Sequence, residues 1–125
     1  MKALLLSIKP EYVDKILQGT KKFEYRKRLA KENVNVMYIY KTAPSMKVVA
    51  SVQVIGHLSA SPTTVWDQTK SAAGISRAKY REYFKDRKIA YAYILGDVKA
   101  FEKEMDLSEF GISTAPQSFA YIEVK

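Results

Sequence analysis

Between Thr20 and Arg28 the chain sets five cations around one carboxylate, in the order Thr20-Lys21-Lys22-Phe23-Glu24-Tyr25-Arg26-Lys27-Arg28. Two kinds of cation beside a lone acid suit a polar, anionic ligand. An ammonium such as Lys21 acts as a point charge on phosphate or ribose oxygens, whereas a guanidinium such as Arg26 can grip a phosphate through two parallel N–H bonds. Glu24 adds what a purely cationic patch lacks, an acceptor for a base amino group. Gly19, just upstream, has no Cβ and would let the backbone come close to a ligand. A purely structural ion-pair network is the alternative. Exposed pairs contribute little stability, so that reading requires the cluster to be partly buried.

If these groups perform chemistry, Glu24 is the candidate general base on a ribose 2′-hydroxyl, and Lys21 or Arg26 would stabilise the developing phosphorane charge. The absence of cysteine excludes disulfides, thiolate catalysis and Cys-held zinc, and one histidine excludes a multi-histidine site within one chain. A carboxylate-held metal needs a second acid near Glu24, and Asp67, Asp97 and Glu123 are all remote in sequence. No metal and no cofactor is therefore expected. Lys27, Arg28, Lys31 and Lys41 read as a solvated basic rim that attracts nucleic acid without specificity. Tyr25, Tyr38, Tyr40, Tyr91 and Tyr93 are able to stack bases, but their alternation favours core packing. Trp66 reads as a helix-to-barrel packing anchor and His57 as a polar surface residue. Gln117 and Ser118, just before the last strand, are candidates for the cleft wall.

The elements that must position these residues follow from pattern. Met1 to Ile8 reads as a buried strand. Pro10 at a helix start and Tyr12, Val13, Ile16 and Leu17 at helical spacing give a short amphipathic helix, which Gly19 stops. From Lys22 to Arg28 alternation sends Phe23 and Tyr25 to one face, and Lys22, Glu24 and Arg26 to the other. Val34–Tyr40 and Lys47–Ile55, the latter continuing toward Leu58, read as strands. Ser61-Pro62 opens a helix with Val65, Trp66 and Thr69 on one side, and Ser76 caps another carrying Tyr80, Tyr83 and Phe84. Ile89 to Leu95 is a strand in which Ile89, Tyr91, Tyr93 and Leu95 share a face, running past a bend or bulge at Gly96 toward Phe101. A turn of helix at Asp106–Phe110 and a strand at Gln117–Val124 close the chain. The pattern implies an α+β protein, a small and mostly closed mixed β-barrel of about six strands. A short helix follows strand 1, and a helical insertion follows strand 4.

A length of 125 residues with 47% hydrophobic content fits one domain with one core, spanning residues 1–125. The net charge of +8 argues for an anionic partner, nucleic acid above all. The apolar run Ala3–Leu6 is too short for a signal-peptide core and no segment approaches a membrane-spanning length, so a cytoplasmic location without membrane contact is expected.

The segment Gly19-x-Lys21-x-x-Glu24-x-Arg26, entered from a short helix, resembles the signature of the ASCH domain, a member of the PUA-like superfamily. The likeness extends to Leu6-Ser7-Ile8-Lys9-Pro10, Val65-Trp66-Asp67, Tyr83-Phe84 and Pro116-Gln117-Ser118-Phe119, which resemble a long-form bacterial and archaeal subgroup. It implies a PUA-like β-barrel with a cleft beside the first helix, and binding of RNA, a nucleotide or a modified nucleoside. Some ASCH-type proteins are hydrolases, including ribonucleases. In those that deacetylate N4-acetylcytidine the resemblance implies a catalytic Lys, Thr and later Glu. Lys21 matches the lysine, the threonine position falls on Glu24, and the segment that should bring the acid reads Ser71-Ala72-Ala73-Gly74.

Overall fold

The computed structural model describes residues 1–124 as a six-stranded mixed sheet with three α-helices. The order along the chain is β1 (Lys2–Ile8), α1 (Pro10–Gln18), β2 (Phe23–Arg26), β3 (Val36–Lys41), β4 (Lys47–Ala60), α2 (Pro62–Thr69), α3 (Arg77–Tyr83), β5 (Ala90–Met105) and β6 (Phe119–Glu123). Short 3₁₀ turns follow α2 at Lys70–Ala72 and β5 at Leu107–Phe110.

Strand β1 lies inside the sheet, parallel to β3 and antiparallel to β6. Both of its faces are covered: Leu4, Leu6 and Ile8 enter one apolar cluster, Ala3 and Leu5 another. That two-sided burial is why its sequence is an unbroken apolar run rather than an alternation. The larger cluster joins these leucines to Val13 and Ile16 of α1, Met37 and Ile39 of β3, and Tyr93 and Leu95 of β5. Helix α1 starts with Pro at its first turn and ends at Gly19, whose φ of +84° is the left-handed conformation glycine adopts without cost. Gly19 N–H bonds to Ile16 O, and the amides of Thr20 and Lys21 both bond to Lys15 O. The chain is thereby turned directly into β2.

The sheet order is β2-β5-β4-β3-β1-β6, so backbone pairing stops at β2 on one side and β6 on the other. The sheet curls like a barrel, but its seam is spanned by a side chain: Arg26 at the end of β2 donates to Ser7 O at 3.1 Å and Ser118 O at 3.4 Å. The mostly closed sheet expected from sequence is in this sense open in its ladder.

Strand boundaries also shift. The expected strand from Lys22 to Arg28 is confined to Phe23–Arg26, and that from Gln117 begins at Phe119. Strands β4 and β5 run longer than expected, to Ala60 and Met105, with register breaks at Val52/Val54 and Val54/Gly56 opposite Gly96 and its neighbours. Ile89 precedes β5 and is exposed, so it does not share the face of Tyr93 and Leu95.

Helices α2 and α3 cover the outer face of β5, where Ala90 and Ala92 are small enough to admit Val65, Tyr80 and Phe84. Trp66 packs on Tyr80, with ring centroids 4.8 Å apart, and so joins α2 to α3 within the cluster that also holds Ala90 and Ala92 of β5.

Candidate functional site

A cavity of about 470 Å³ opens between the end of β1, α1, β2 and α3. Lys21, Glu24 and Arg26 line it together, with Ser7 and Tyr12 on one side and Ile75, Lys79, Glu82 and Tyr83 on the other. The spacing that drew these three residues together in sequence therefore brings them together in space.

Lys21 is a buried cation, only 4% exposed. Its Nζ donates to Ala73 O at 2.8 Å and lies 5.3 Å from the Tyr12 ring centroid and 4.7 Å from that of Tyr25. Among the described residues no carboxylate comes within ion-pair distance of it. Burial lowers its pKa to about 8 from an ordinary 10.5, because the charged form loses hydration that the nearby Glu24 charge restores only in part. The stem of Lys21 lies against the backbone of Gly74. A Cβ there would stand 2.5 Å from Lys21 Cβ and 2.7 Å from its Cγ, and Gly74 holds a φ of +64°. The segment Ser71–Gly74 thus lies against Lys21, with the Ala73 carbonyl accepting from its ammonium.

Glu24 and Arg26 form a nearly buried pair. Arg26 Nε and Nη2 both reach Glu24 Oε2, at 3.1 and 2.9 Å, with side chains 9% and 13% exposed for Glu24 and Arg26. Glu24 Oε1 has no hydrogen-bond partner among the described residues, and no side-chain oxygen there is both buried and unpartnered. Oε1 is therefore not fully enclosed, and Glu24 lines the cavity. Arg26 is in the opposite condition: Glu24, Ser7 O and Ser118 O occupy its fork. The two-pronged phosphate grip expected of it would require breaking the contacts that bridge the sheet seam. Arg26 thus lines the cavity while paired with Glu24.

The remaining sequence candidates divide. Gly19 caps α1, is exposed and is not among the lining residues. Lys27 is exposed, but its Nζ sits 5.0 Å from the ring centroid of Tyr83, which lines the cavity, placing its charge at the rim. Arg28 is exposed and outside the lining, as is Gln117. Ser118 contributes its carbonyl to Arg26. Lys41 is paired with Asp14 at 3.0 Å. Tyr25, Tyr40 and Tyr93 are core residues and Tyr38 packs on Phe101 and Phe110. His57 is exposed on β4. Sequence reasoning missed Tyr12, Ser7, Gly74 and the α3 wall. Their only signals were the Ser-Ile-Lys-Pro run and the Ala-Ala-Gly break, neither of which says what it will face.

A family model for the ASCH domain matches residues 6–104, and the chain belongs to that family. The crystal structure of ASCH from Zymomonas mobilis superposes with a TM-score of 0.88 at 24% identity, covering 97% of this chain and 87% of that one. A single-residue variant of the same protein gives 0.89 at 23% identity, covering 98% and 91%. These likenesses establish the fold, an α+β architecture with a six-stranded mixed sheet.

Among sequence relatives, an ASCH domain-containing ribonuclease of Zymomonas mobilis is 28% identical over 97 residues, 77% of this chain and 66% of that protein. The alpha subunit of ATP synthase from Ureaplasma parvum is 28% identical over 121 residues, 96% of this chain but 15% of that protein. This chain thus spans only part of the curated relatives it matches. No helix among the described residues is long and apolar enough to cross a membrane.

Proposed function

We propose that this ASCH domain binds RNA, or a nucleotide within it, in the cavity floored by Lys21 and Glu24. The observation that carries the reading is a buried ammonium with no carboxylate partner, in the same cavity lining as a carboxylate with one oxygen engaged and the other unpartnered. A fold gains nothing from burying an unpaired cation. An anion entering the cavity supplies the missing partner. Lys21 then holds phosphate or ribose oxygens, and Glu24 Oε1 accepts from a base amino group. The ribonuclease name carried by the Zymomonas relative supports an RNA ligand.

The test is titration of labelled single-stranded RNAs of differing base composition, with duplex RNA and DNA as controls. Glu24→Ala should change the order of base preference, whereas Lys27→Ala should weaken all strands alike. Equal, base-independent losses for both variants would refute the assignment of Glu24.

The same relative and the lowered pKa of Lys21 favour a second reading, ribonuclease activity. An amine that titrates near 8 is partly neutral at physiological pH and can take a proton. Lys21 Nζ would remove the 2′-hydroxyl proton as the 2′-oxygen attacks phosphorus. The bond to the 5′-oxygen breaks, water protonates that oxygen, and a 2′,3′-cyclic phosphate is left. Cleavage should rise through pH 8 and vanish in Lys21→Met. Full recovery of intact RNA after long incubation would eliminate this reading and leave binding untouched.

A further inference from the structure

We infer a second nucleotide subsite on the far side of α3, formed by Trp66, Arg77 and Arg81, which holds the flank of a single strand whose other part occupies the Lys21–Glu24 cavity. The inference rests on the proposed RNA-binding function and extends it. Helix α3 has two working faces. Lys79, Glu82 and Tyr83 line the first cavity, while Arg77, Tyr80, Arg81 and Phe84 line another of about 260 Å³ with Trp66 and Asp67 of α2. Two cavities separated by one helix, about 10 Å across with its side chains, lie within reach of one short strand.

The second cavity has the composition of a stacking platform. Trp66 lies at 4.8 Å from Tyr80 with the ring planes 43° apart, and Tyr80 is 4.9 Å from Phe84. Tyr80 is itself fixed, 2% exposed and donating its hydroxyl to Pro62 O at 2.7 Å. The aromatic floor is thus rigid before any ligand arrives, while Trp66 remains only half-buried. Packing between α2 and α3 accounts for the buried side of Trp66. It does not account for two guanidiniums at i and i+4 on the same face of α3, both exposed and without an ion pair among the described residues. A base laid on an aromatic ring with flanking arginines on the phosphates is the recurrent solution for single-stranded nucleic acid. Asp67, on the same rim, offers an acceptor to an exocyclic amine.

Trp66 is the only tryptophan, so its emission reports this subsite alone. A single-stranded oligoribonucleotide should be titrated into the protein with Trp66 fluorescence and the anisotropy of an end-labelled strand read in parallel. Emission should be quenched with the same midpoint as the anisotropy rise, and a mononucleotide should leave it unchanged. Arg77→Gln/Arg81→Gln, a change confined to exposed positions, should abolish the quenching and weaken the strand about tenfold while sparing mononucleotide binding. Strand binding that depends on Glu24 but leaves Trp66 emission and the double variant unaffected would overturn the subsite and preserve the cavity reading. Absence of any strand binding by anisotropy would overturn both.

Discussion

On the proposed function, Lys21 concentrates the tension between stability and ligand binding in a single side chain. A pKa lowered from 10.5 to about 8 corresponds to roughly 3 kcal/mol of disfavoured charge in the folded state. The folded value lies below the unfolded one, so between pH 8 and 10.5 the unfolded chain binds more protons and stability rises with pH. Below pH 8 the full cost is present, and above 10.5 it disappears. Lys21→Met keeps the stem against Gly74 and removes the charge, at the loss of the hydrogen bond to Ala73 O, worth about 1 kcal/mol. Urea unfolding at pH 7 should therefore show the variant more stable by about 1–2 kcal/mol, with the gain fading toward pH 10.5. Loss of stability at pH 7 would mean that the ammonium is compensated within the fold. The same variant should lose RNA affinity, as happens where a residue is kept for binding and not for folding.

At the scale of elements, two connections hold the site. The first is the Arg26 bridge from β2 to Ser7 and Ser118, which substitutes for backbone pairing between the sheet edges. Lysine keeps the charge but cannot span three acceptors, so Arg26→Lys should destabilise the protein by about 2 kcal/mol in thermal or urea unfolding. Amide exchange should rise at β2 and β6 before the central strands; uniform exchange across the sheet would contradict a seam held by Arg26. The second is the Ala72–Gly74 segment, where Ala72 O accepts from Lys22 N–H at 2.9 Å and Ala73 O holds Lys21 Nζ. Gly74→Ala puts a Cβ into the Lys21 stem at a left-handed φ, costing about 1–2 kcal/mol. It should weaken RNA binding although the side chain it adds touches no ligand.

These connections also mark how far the sequence could be read. Alternation and capping located β1, α1, the Glu24–Arg26 face and the turn that carries Lys21 toward it, because period and turn chemistry are local. Nothing local says that an arginine on one edge strand will reach carbonyls at Ser7 and Ser118, or that a glycine at position 74 will lie on a lysine at position 21. Those pairings belong to the curl of the sheet. Strand ends moved for a similar reason: Lys27 and Arg28 continue the charge pattern of β2 but find no partner strand opposite them, since β5 pairs only as far as Arg26 with Tyr91.

At the scale of the whole molecule, charge is uneven along the chain. Residues 1–96 hold 18 Lys+Arg and 7 Asp+Glu, net +11, whereas residues 97–125 hold 3 and 6, net −3. The cavity, α3 and the Lys27 rim all belong to the positive part, and the distal half of β5 with the Leu107–Phe110 turn belongs to the negative part. On the proposed function, the excess cations of residues 1–96 would attract a polyanionic strand. RNA affinity should fall linearly in logarithmic terms with salt, and Lys27→Ala should reduce that slope by about one. An unchanged slope would remove Lys27 from the phosphate-contacting surface. Glu24→Ala should leave the slope essentially intact while altering base preference, which separates reading from attraction.

The most direct test of the account is an NMR titration of the Lys21 ε-methylene, assigned by its loss in Lys21→Met, with and without a saturating single-stranded RNA. The free protein should titrate near 8. Bound phosphate should raise that midpoint by about one to three units. A midpoint near 10.5 in the free protein, or one that RNA leaves unmoved, would contradict the claim that Lys21 is a buried cation awaiting an anionic ligand.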